Sequence, residues 1–496
     1  MTRAKQKASE PNPVKGSAPS RRALLGGAAA LALGIPACSV GMFALAKLPH
    51  TVGLDHDVVV IGAGLAGLYA AMLLEEAGLD VQVVEASERV GGRVRTLDLG
   101  ADGLSEAGGE QIGAGYGRTR DLAQRFGLAI AEDGPPTPTV LDVGGELITP
   151  DDWPAHPLNP FPEDRNDLLP SSALFRLADP NPLDAPDDWT RIAAAHDVSA
   201  RDYLAAKGLG EDALRMVDHT LNGNDLASYS MSNVFRSLAL YRLERMAGRS
   251  GHMVGGMQRL PEAMAESLKR PVRFGHRVDF LQAWSGTRTR ELGQWRAQEP
   301  IPHVRVAARG EGLSGRSWRA RHVVVAVPPH MTEGWTNYAG GHHTMRVMQT
   351  QSMTAILQLH IRTDEPLDRN IWSDTAVERI FVREPGGHIA RVWINGTTAL
   401  ALDGRDDAGV VEALSSDLKR LVGDFAVMEV VRWTPSNPNA GGAYRHLRPG
   451  EARTRPDISS RNGRIVFAGE HLSHLHTGME GALESGERAA FHILGV

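Results

Sequence analysis

Residues 57–93 read Asp57-Val58-Val59-Val60-Ile61-Gly62-Ala63-Gly64-Leu65-Ala66-Gly67-Leu68-Tyr69 and, after an alanine- and leucine-rich stretch, Val81-Gln82-Val83-Val84-Glu85-Ala86-Ser87-Glu88-Arg89-Val90-Gly91-Gly92-Arg93. The pattern predicts a strand over 58–61, a glycine turn, a helix over 68–76 and a second strand over 81–84 that ends on Glu85. Each part serves the grip on a dinucleotide. Gly62 allows the tight turn, Gly64 lets a pyrophosphate touch the backbone, and Gly67 lets helix and strand pack closely. Beyond the turn, which includes Leu65 and Ala66, the helix N-terminus offers free N–H groups to phosphates. Glu85, about twenty residues on, stands where a carboxylate accepts hydrogen bonds from a ribose, with Ala86 beside it. A glycine pattern alone is common in βα turns. Placed after a strand, before a helix and ahead of an acidic residue, it marks a dinucleotide site.

Arg89 to Arg93 narrow the nucleotide. A Gly-Gly pair followed by arginine lets a second loop approach the same pyrophosphate and offers it the Arg93 guanidinium. Glu85-Ala86-Ser87-Glu88-Arg89-Val90-Gly91-Gly92-Arg93 resembles the motif that follows the second strand in flavin-containing amine oxidases, the family of monoamine, polyamine and L-amino-acid oxidases. The resemblance implies FAD as cofactor.

The chain has 496 residues, of which 42% are hydrophobic, enough for several domains and a sizeable core. A net charge of −6 without a basic tract argues against nucleic acid as partner. The one cysteine is Cys38. It lies in the N-terminal segment, so the fold beyond it forms no disulfide, no cysteine-ligated metal site and no cysteinyl link to a flavin.

Residues 1–50 read as a signal and linker. Ser20-Arg21-Arg22-Ala23-Leu24-Leu25 opens an uncharged run of 24 residues, 23–46, the pattern of a twin-arginine export signal. The expected location is the periplasm. Cleavage near Ala37, lipidation at Cys38 and retention as a membrane anchor all stay open.

Further along, Glu106-Ala107-Gly108-Gly109-Glu110-Gln111-Ile112-Gly113 is a glycine-rich turn that lies against the flavin ring in the resembling family. Residues 134–190 are rich in proline and aspartate and read as a surface excursion or lid. Helical spacing marks 199–248 as part of a substrate domain. A helix is expected after Val254-Gly255-Gly256, and strands at 272–278 and 323–327. In the family the residue matching Val278 touches the adenine. Strands at 354–361 and 388–395 and a helix at 408–422 suggest a mixed sheet. A strand from Arg464 to Phe467 enters Ala468-Gly469-Glu470-His471, and Gly478-Met479-Glu480-Gly481-Ala482 starts a helix running to Leu494. The family closes over FAD with this same pair, so Gly469, Glu470, Gly478 and Met479 are expected at the cofactor. A helix N-terminus at the flavin edge would stabilise charge on the reduced ring.

The fold class that follows is α/β: a doubly wound FAD-binding domain with an inserted mixed-sheet and helical substrate domain. FAD-binding parts are expected at 51–125, 249–330 and 433–496, with the helical substrate or lid part at 126–248 and the substrate sheet at 331–432.

Departures from the family pattern carry the functional detail. Ala443, in Gly441-Gly442-Ala443-Tyr444, replaces the cysteine that bonds flavin in monoamine oxidases, which implies non-covalent FAD. Tyr444 keeps one aromatic wall of the substrate site. Gly478 stands where the other wall is expected, leaving it missing or supplied by His474 or His476. Gln358 aligns with a lysine that lies near flavin N5 in many relatives, and no lysine occurs between Lys269 and Lys419. Gln111 replaces the arginine that binds the carboxylate in L-amino-acid oxidases, and an amide cannot supply a charged fork. Glu110 beside it favours a cation or is a satisfied structural carboxylate.

The expected activity is oxidation of an amine to an imine, with hydride transfer to flavin N5 and reoxidation by oxygen to hydrogen peroxide. A periplasmic dehydrogenase using a cytochrome or quinone acceptor, and an L-amino-acid oxidase, are the alternatives. The C-terminal pattern argues against a carotenoid-type desaturase, and amine-induced bleaching would separate an enzyme from a redox-sensing flavoprotein. A homodimer stays open.

Overall fold

The computed structural model describes residues 53–284, 287–291, 294–298, 303–309, 315–333, Trp335, 351–453 and 463–496. The expected signal, linker and Cys38 lie outside the described residues. Following the chain, β1 (His56–Ile61) leads into α1 (Leu65–Glu76) and β2 (Val81–Val84). The chain then forms β3 (Thr139–Val143) and β4 (Glu146–Ile148), and after them helices α2 (Ala200–Ala206), α3 (Glu211–Thr220) and α4 (Met231–Ala247). Next come β5 (Arg277–Trp284), β6 (His303–Arg309) and β7 (Arg316–Val325). The following run is β8 (Ile356–Leu367), β9 (Asn370–Ser373), β10 (Arg379–Val382), β11 (Gly387–Asn395), α5 (Asp407–Val422) and β12 (Phe425–Trp433). The chain closes with β13 (Ile465–Phe467) and α6 (Gly478–Leu494).

Two sheets organise these elements. The first is six-stranded, in the order β2-β1-β7-β6-β5, with β13 also paired to β7. Strands β2, β1, β7 and β13 run parallel, and β6 and β5 are antiparallel additions. The buried runs of the parallel strands, 58–61, 81–84, 323–325 and 465–467, are apolar but for Gln82 because both faces are covered there. Val58, Val59 and Val60 have no exposed area. Helix α1 is buried all round, as its uniform apolarity requires. It lies under α6 so closely that a Cβ on Gly486 would stand 2.3 Å from the Ala66 carbonyl oxygen. The second sheet is mixed and seven-stranded, in the order β12-β8-β11-β10-β9-β3-β4.

Several boundaries differ from the sequence reading. Helix α1 begins at Leu65, directly on the glycine turn, with Gly64 as its N-cap. The strand expected at 272–278 is displaced: Arg273 makes a single bridge to Val84, and the ladder begins only at Arg277, after Gly275 turns with φ +68°. Residues 134–190 are more than a surface excursion with short elements. They supply β3 and β4 to the second sheet, and Trp153 and Trp189 are 0% and 1% exposed. Each indole N–H is satisfied, by Leu168 O and His474 O at 2.8 Å. Widely spaced tryptophans and leucines anchor the segment without any periodicity for sequence reading to detect.

Candidate active site

A cleft of about 490 Å³ runs along the ends of the parallel strands and on to the second sheet. At one end it is lined by Gly62, Gly64, Leu65, Ala66, Glu85, Ala86 and Val278. Glu85 is held firmly over the turn: Oε2 accepts from the Ala63 N–H at 2.7 Å, and Oε1 from the Ser87 N–H at 2.9 Å. Gly67 does not line the cleft. It lies beneath the turn, where a Cβ would stand 2.0 Å from the Gly62 carbonyl oxygen, so its part is the close helix–strand packing. No side chain caps α1, which leaves its first-turn N–H groups for an anion.

The second loop is pinned to the first by Gly91 N–H to Ala63 O, 2.9 Å. Arg89 shapes it from within, donating to the carbonyls of Val90, Val94 and Gly92. Arg93 lines the cleft, yet its Nη1 is engaged with the protein: it donates to Glu470 Oε1 and to Ala443 O, both at 2.9 Å. Gly469 and Glu470 line the cleft beside it. His471 follows them, 2% exposed, with neither ring nitrogen hydrogen-bonded among the described residues. Burial pushes its pKa well below the ordinary value, helped by Arg93 and Arg445, so the ring is neutral.

The middle of the cleft is bounded by Gly109, Glu110, Gln111, Gly478 and Met479. Gly109 packs on Met479, whose sulfur would meet a Cβ there at 2.9 Å. Thr477 is the N-cap of α6 and makes no side-chain cap, so this helix start is also open. Ile112 is the exception among the expected residues. It has no exposed area and lies in the core behind the cleft, its N–H bound to Gly251 O at 2.8 Å. Glu110 is a satisfied carboxylate: Arg391 Nη2 donates to it at 2.8 Å, and the same guanidinium donates to the Glu106 carbonyl. Gln111 directs its amide to Asp133 Oδ2 at 3.3 Å, at the exposed rim.

Toward the second sheet the lining is Ala443, Tyr444, Ile356, Gln358, Trp393 and Trp433. Ala443 brings no thiol. Tyr444 donates to the Asn222 carbonyl at 3.2 Å, and burial raises its phenol pKa. Gln358 is 1% exposed and its Oε1 has no partner among the described residues. Neither His474 nor His476 is among the residues lining the cleft. His476 packs edge-on against Tyr116, with centroids 5.3 Å apart, and the His474 backbone N–H is bound by Glu484. Trp393 and Trp433 take up the aromatic lining instead. Sequence reasoning missed both, because neither strand alternates cleanly in polarity and the face each turns to the cleft is set by pairing with distant strands. Among the described residues no cluster of histidine, cysteine or carboxylate side chains could hold a metal ion.

The comparisons with known proteins agree with this geometry. The family model described as flavin-containing amine oxidoreductase matches residues 65–494. The L-amino-acid oxidase of Vipera ammodytes ammodytes is 29% identical over 87% of this chain and 91% of its own length. Human flavin-containing amine oxidase B is 25% identical over 88% of this chain and 86% of its own. The structure of cyclohexylamine oxidase from Brevibacterium oxydans IH-35A covers 89% of this chain and 99% of its own, with TM-score 0.67 and 22% identity, a likeness of fold. The chain belongs to the flavin-containing amine oxidoreductase family, and is a flavin-dependent oxidoreductase acting on CH–NH2 groups.

Proposed function

We propose that the cleft binds FAD by non-covalent contacts alone and presents it to a plain amine, one without an α-carboxylate held at Gln111. The observation that carries this reading is the continuity of one cleft from Glu85 and Val278, past two uncapped helix starts, to Gln358, Trp393 and Tyr444. The donor set fits the cofactor. Glu85 suits a ribose, the first-turn amides of α1 suit a pyrophosphate, and the Gly109–Gln111 turn with Met479 suits a flat ring. The partnerless Gln358 Oε1 and His471 nitrogens are groups that such a ligand would satisfy.

The flavin supplies a two-electron acceptor for the hydride of the amine α-carbon; the imine then hydrolyses to an aldehyde or ketone and ammonia or a smaller amine. The chain's residues bind, orient and exclude water. Ile356, Trp393, Trp433 and Tyr444 give an apolar wall that favours a neutral amine over its hydrated cation. The α6 N-terminus favours negative charge at the cleft. Glu110, already paired with Arg391, is no free counter-ion for the amine.

Oxygen is the proposed acceptor. A periplasmic cytochrome or quinone is the second reading, favoured by Gln358 in the position of the lysine. The twin-arginine pattern supports export of the folded, FAD-loaded protein. Anaerobic titration of the holoprotein with a panel of amines and α-amino acids tests the reading: amines should bleach the flavin, α-amino acids poorly. Acid precipitation should leave the yellow colour in the supernatant. Flavin in the pellet would overturn the non-covalent assignment, and bleaching by α-amino acids alone would overturn the substrate class.

A further inference from the structure

Paired residues on neighbouring strands share one face of a sheet, and the registers of the second sheet set out a continuous row. Gln358 on β8 pairs with Trp393 on β11, Trp393 with Arg379 on β10, and Arg379 with Trp372 on β9. The first two line the cleft. Arg379 is next in the row and is 3% exposed. Its guanidinium lies between two indoles, 5.4 Å from the Trp372 ring centroid and 6.0 Å from that of Trp393. Nη1 donates to Asn222 Oδ1 at 2.8 Å, and the carbonyl of that same Asn222 holds the Tyr444 hydroxyl. Among the described residues Nε and Nη2 have no hydrogen-bond partner. The adjacent Glu378 is occupied elsewhere, accepting from the Asn395 N–H at 2.8 Å.

A buried guanidinium with three of its five N–H donors unused is costly unless a ligand completes it. The unused pair is informative. Nε–H and Nη2–H are the parallel donors of the side-on edge, the one that receives both oxygens of a carboxylate. Aromatic faces on either side of a guanidinium suit a planar ion pair and keep water away.

We propose that Arg379 is the carboxylate-binding residue at the far end of the substrate site, and that the preferred substrates are amines bearing a carboxylate remote from the reacting C–N bond, as in an ω-amino acid. Arg379 is not itself one of the cleft-lining residues; it lies directly behind Trp393, and in this proposal the substrate carboxylate reaches it past that ring. Two strand spacings separate Gln358 from Arg379, roughly 10 Å between backbones, a gap that a chain of about five methylenes spans once the side chains converge. This differs from a carboxylate held on the α-carbon at the position of Gln111. It rests on the amine-oxidation reading above.

The test compares hexylamine, 6-aminohexanoate and norleucine in anaerobic reduction of the holoenzyme. The apparent dissociation constant of 6-aminohexanoate should be at least about tenfold below that of hexylamine, as expected for a charged bidentate contact. Norleucine should gain nothing over hexylamine. In Arg379→Gln the preference for the amino acid should collapse to less than about threefold, and Arg379→Lys should recover part of it. Hexanoate, which has no amine, gives an independent readout through quenching of tryptophan fluorescence and competition with hexylamine. An equal affinity for hexylamine and 6-aminohexanoate, or a preference that survives Arg379→Gln, overturns the proposal while leaving amine oxidation intact. If Arg379→Gln does not fold, the wild-type hexanoate titration decides, and absence of saturable binding overturns it. If no amine bleaches the flavin, the amine reading fails, and hexanoate binding still judges Arg379.

Discussion

Arg93 Nη1 donates to Glu470 Oε1 at 2.9 Å, joining residues 377 positions apart at the middle of the cleft. Glu470 Oε1 also accepts from the Arg445 N–H, and Arg93 also reaches the Ala443 carbonyl. One ion pair thus ties the second nucleotide loop, the segment carrying Tyr444 and the turn before α6 into a single floor.

Removing Arg93 should therefore act on the fold as well as on the cofactor. The Glu470 side chain is 6% exposed and that of Arg93 22%, so Arg93→Ala leaves a nearly buried carboxylate short of its countercharge. Losing one partner of a buried pair costs about 3–5 kcal/mol, and the partial exposure of Arg93 places the loss at the lower end. Flavin content after gel filtration and the urea midpoint of the apoprotein should both fall. An unchanged midpoint would show that the pair is not structural.

Gly486→Ala probes the seat of α6 on α1. The added methyl would stand 2.3 Å from the Ala66 carbonyl oxygen, so the helices must part. Overpacking of this kind costs about 1–3 kcal/mol, and flavin affinity should weaken because the first-turn amides of α1 are the ones proposed to hold the pyrophosphate. Denaturant unfolding measures the first and flavin titration the second. A fully wild-type midpoint would mean that the helix contact yields freely.

Buried histidines should make unfolding take up protons in mild acid. Burial lowers His322, His330, His446 and His476 to about 4 and His360 to about 3. Each folded pKa lies below the unfolded one, so this stability is complete above about pH 6.5 and is lost as pH falls through the folded values. Glu378 acts in the opposite sense. Burial raises it to about 7, so its contribution is complete below about pH 4.5 and is lost as pH rises through 7. At pH 5.5 the balance is a net uptake of about four protons on unfolding. Calorimetry in buffers of different ionisation enthalpy measures it, and zero uptake or net release would contradict these environments.

Reaction with oxygen should be slow for an amine oxidase. No lysine occurs between Lys269 and Lys419, and the cleft offers Gln358 in its place. Stopped-flow reoxidation of amine-reduced enzyme should be slower than its reduction, and Gln358→Lys should accelerate it. If oxygen restores the flavin as fast as amine reduces it, the dehydrogenase alternative is wrong.

The nucleotide unit was legible in the sequence because its physics is local. A strand, a glycine turn, an uncapped helix start and Glu85 all lie within about thirty residues, and their geometry follows from backbone sterics and strand pairing. The C-terminal turn and the start of α6 were legible for the same reason, as was the absence of a thiol at Ala443. Tertiary structure decided whatever depends on register or on a distant partner. Whether Trp393 and Trp433 face the cleft, and whether Arg379 stands beside Trp393 on the same face of the sheet, rests on strand pairing, where a slip of one residue would turn each side chain to the other face. Glu110 became a satisfied carboxylate only because Arg391, 281 positions away, reaches it. Ile112 withdrew into the core, and 134–190 became sheet and core around Trp153 and Trp189, because burial is settled by what the rest of the chain packs against them.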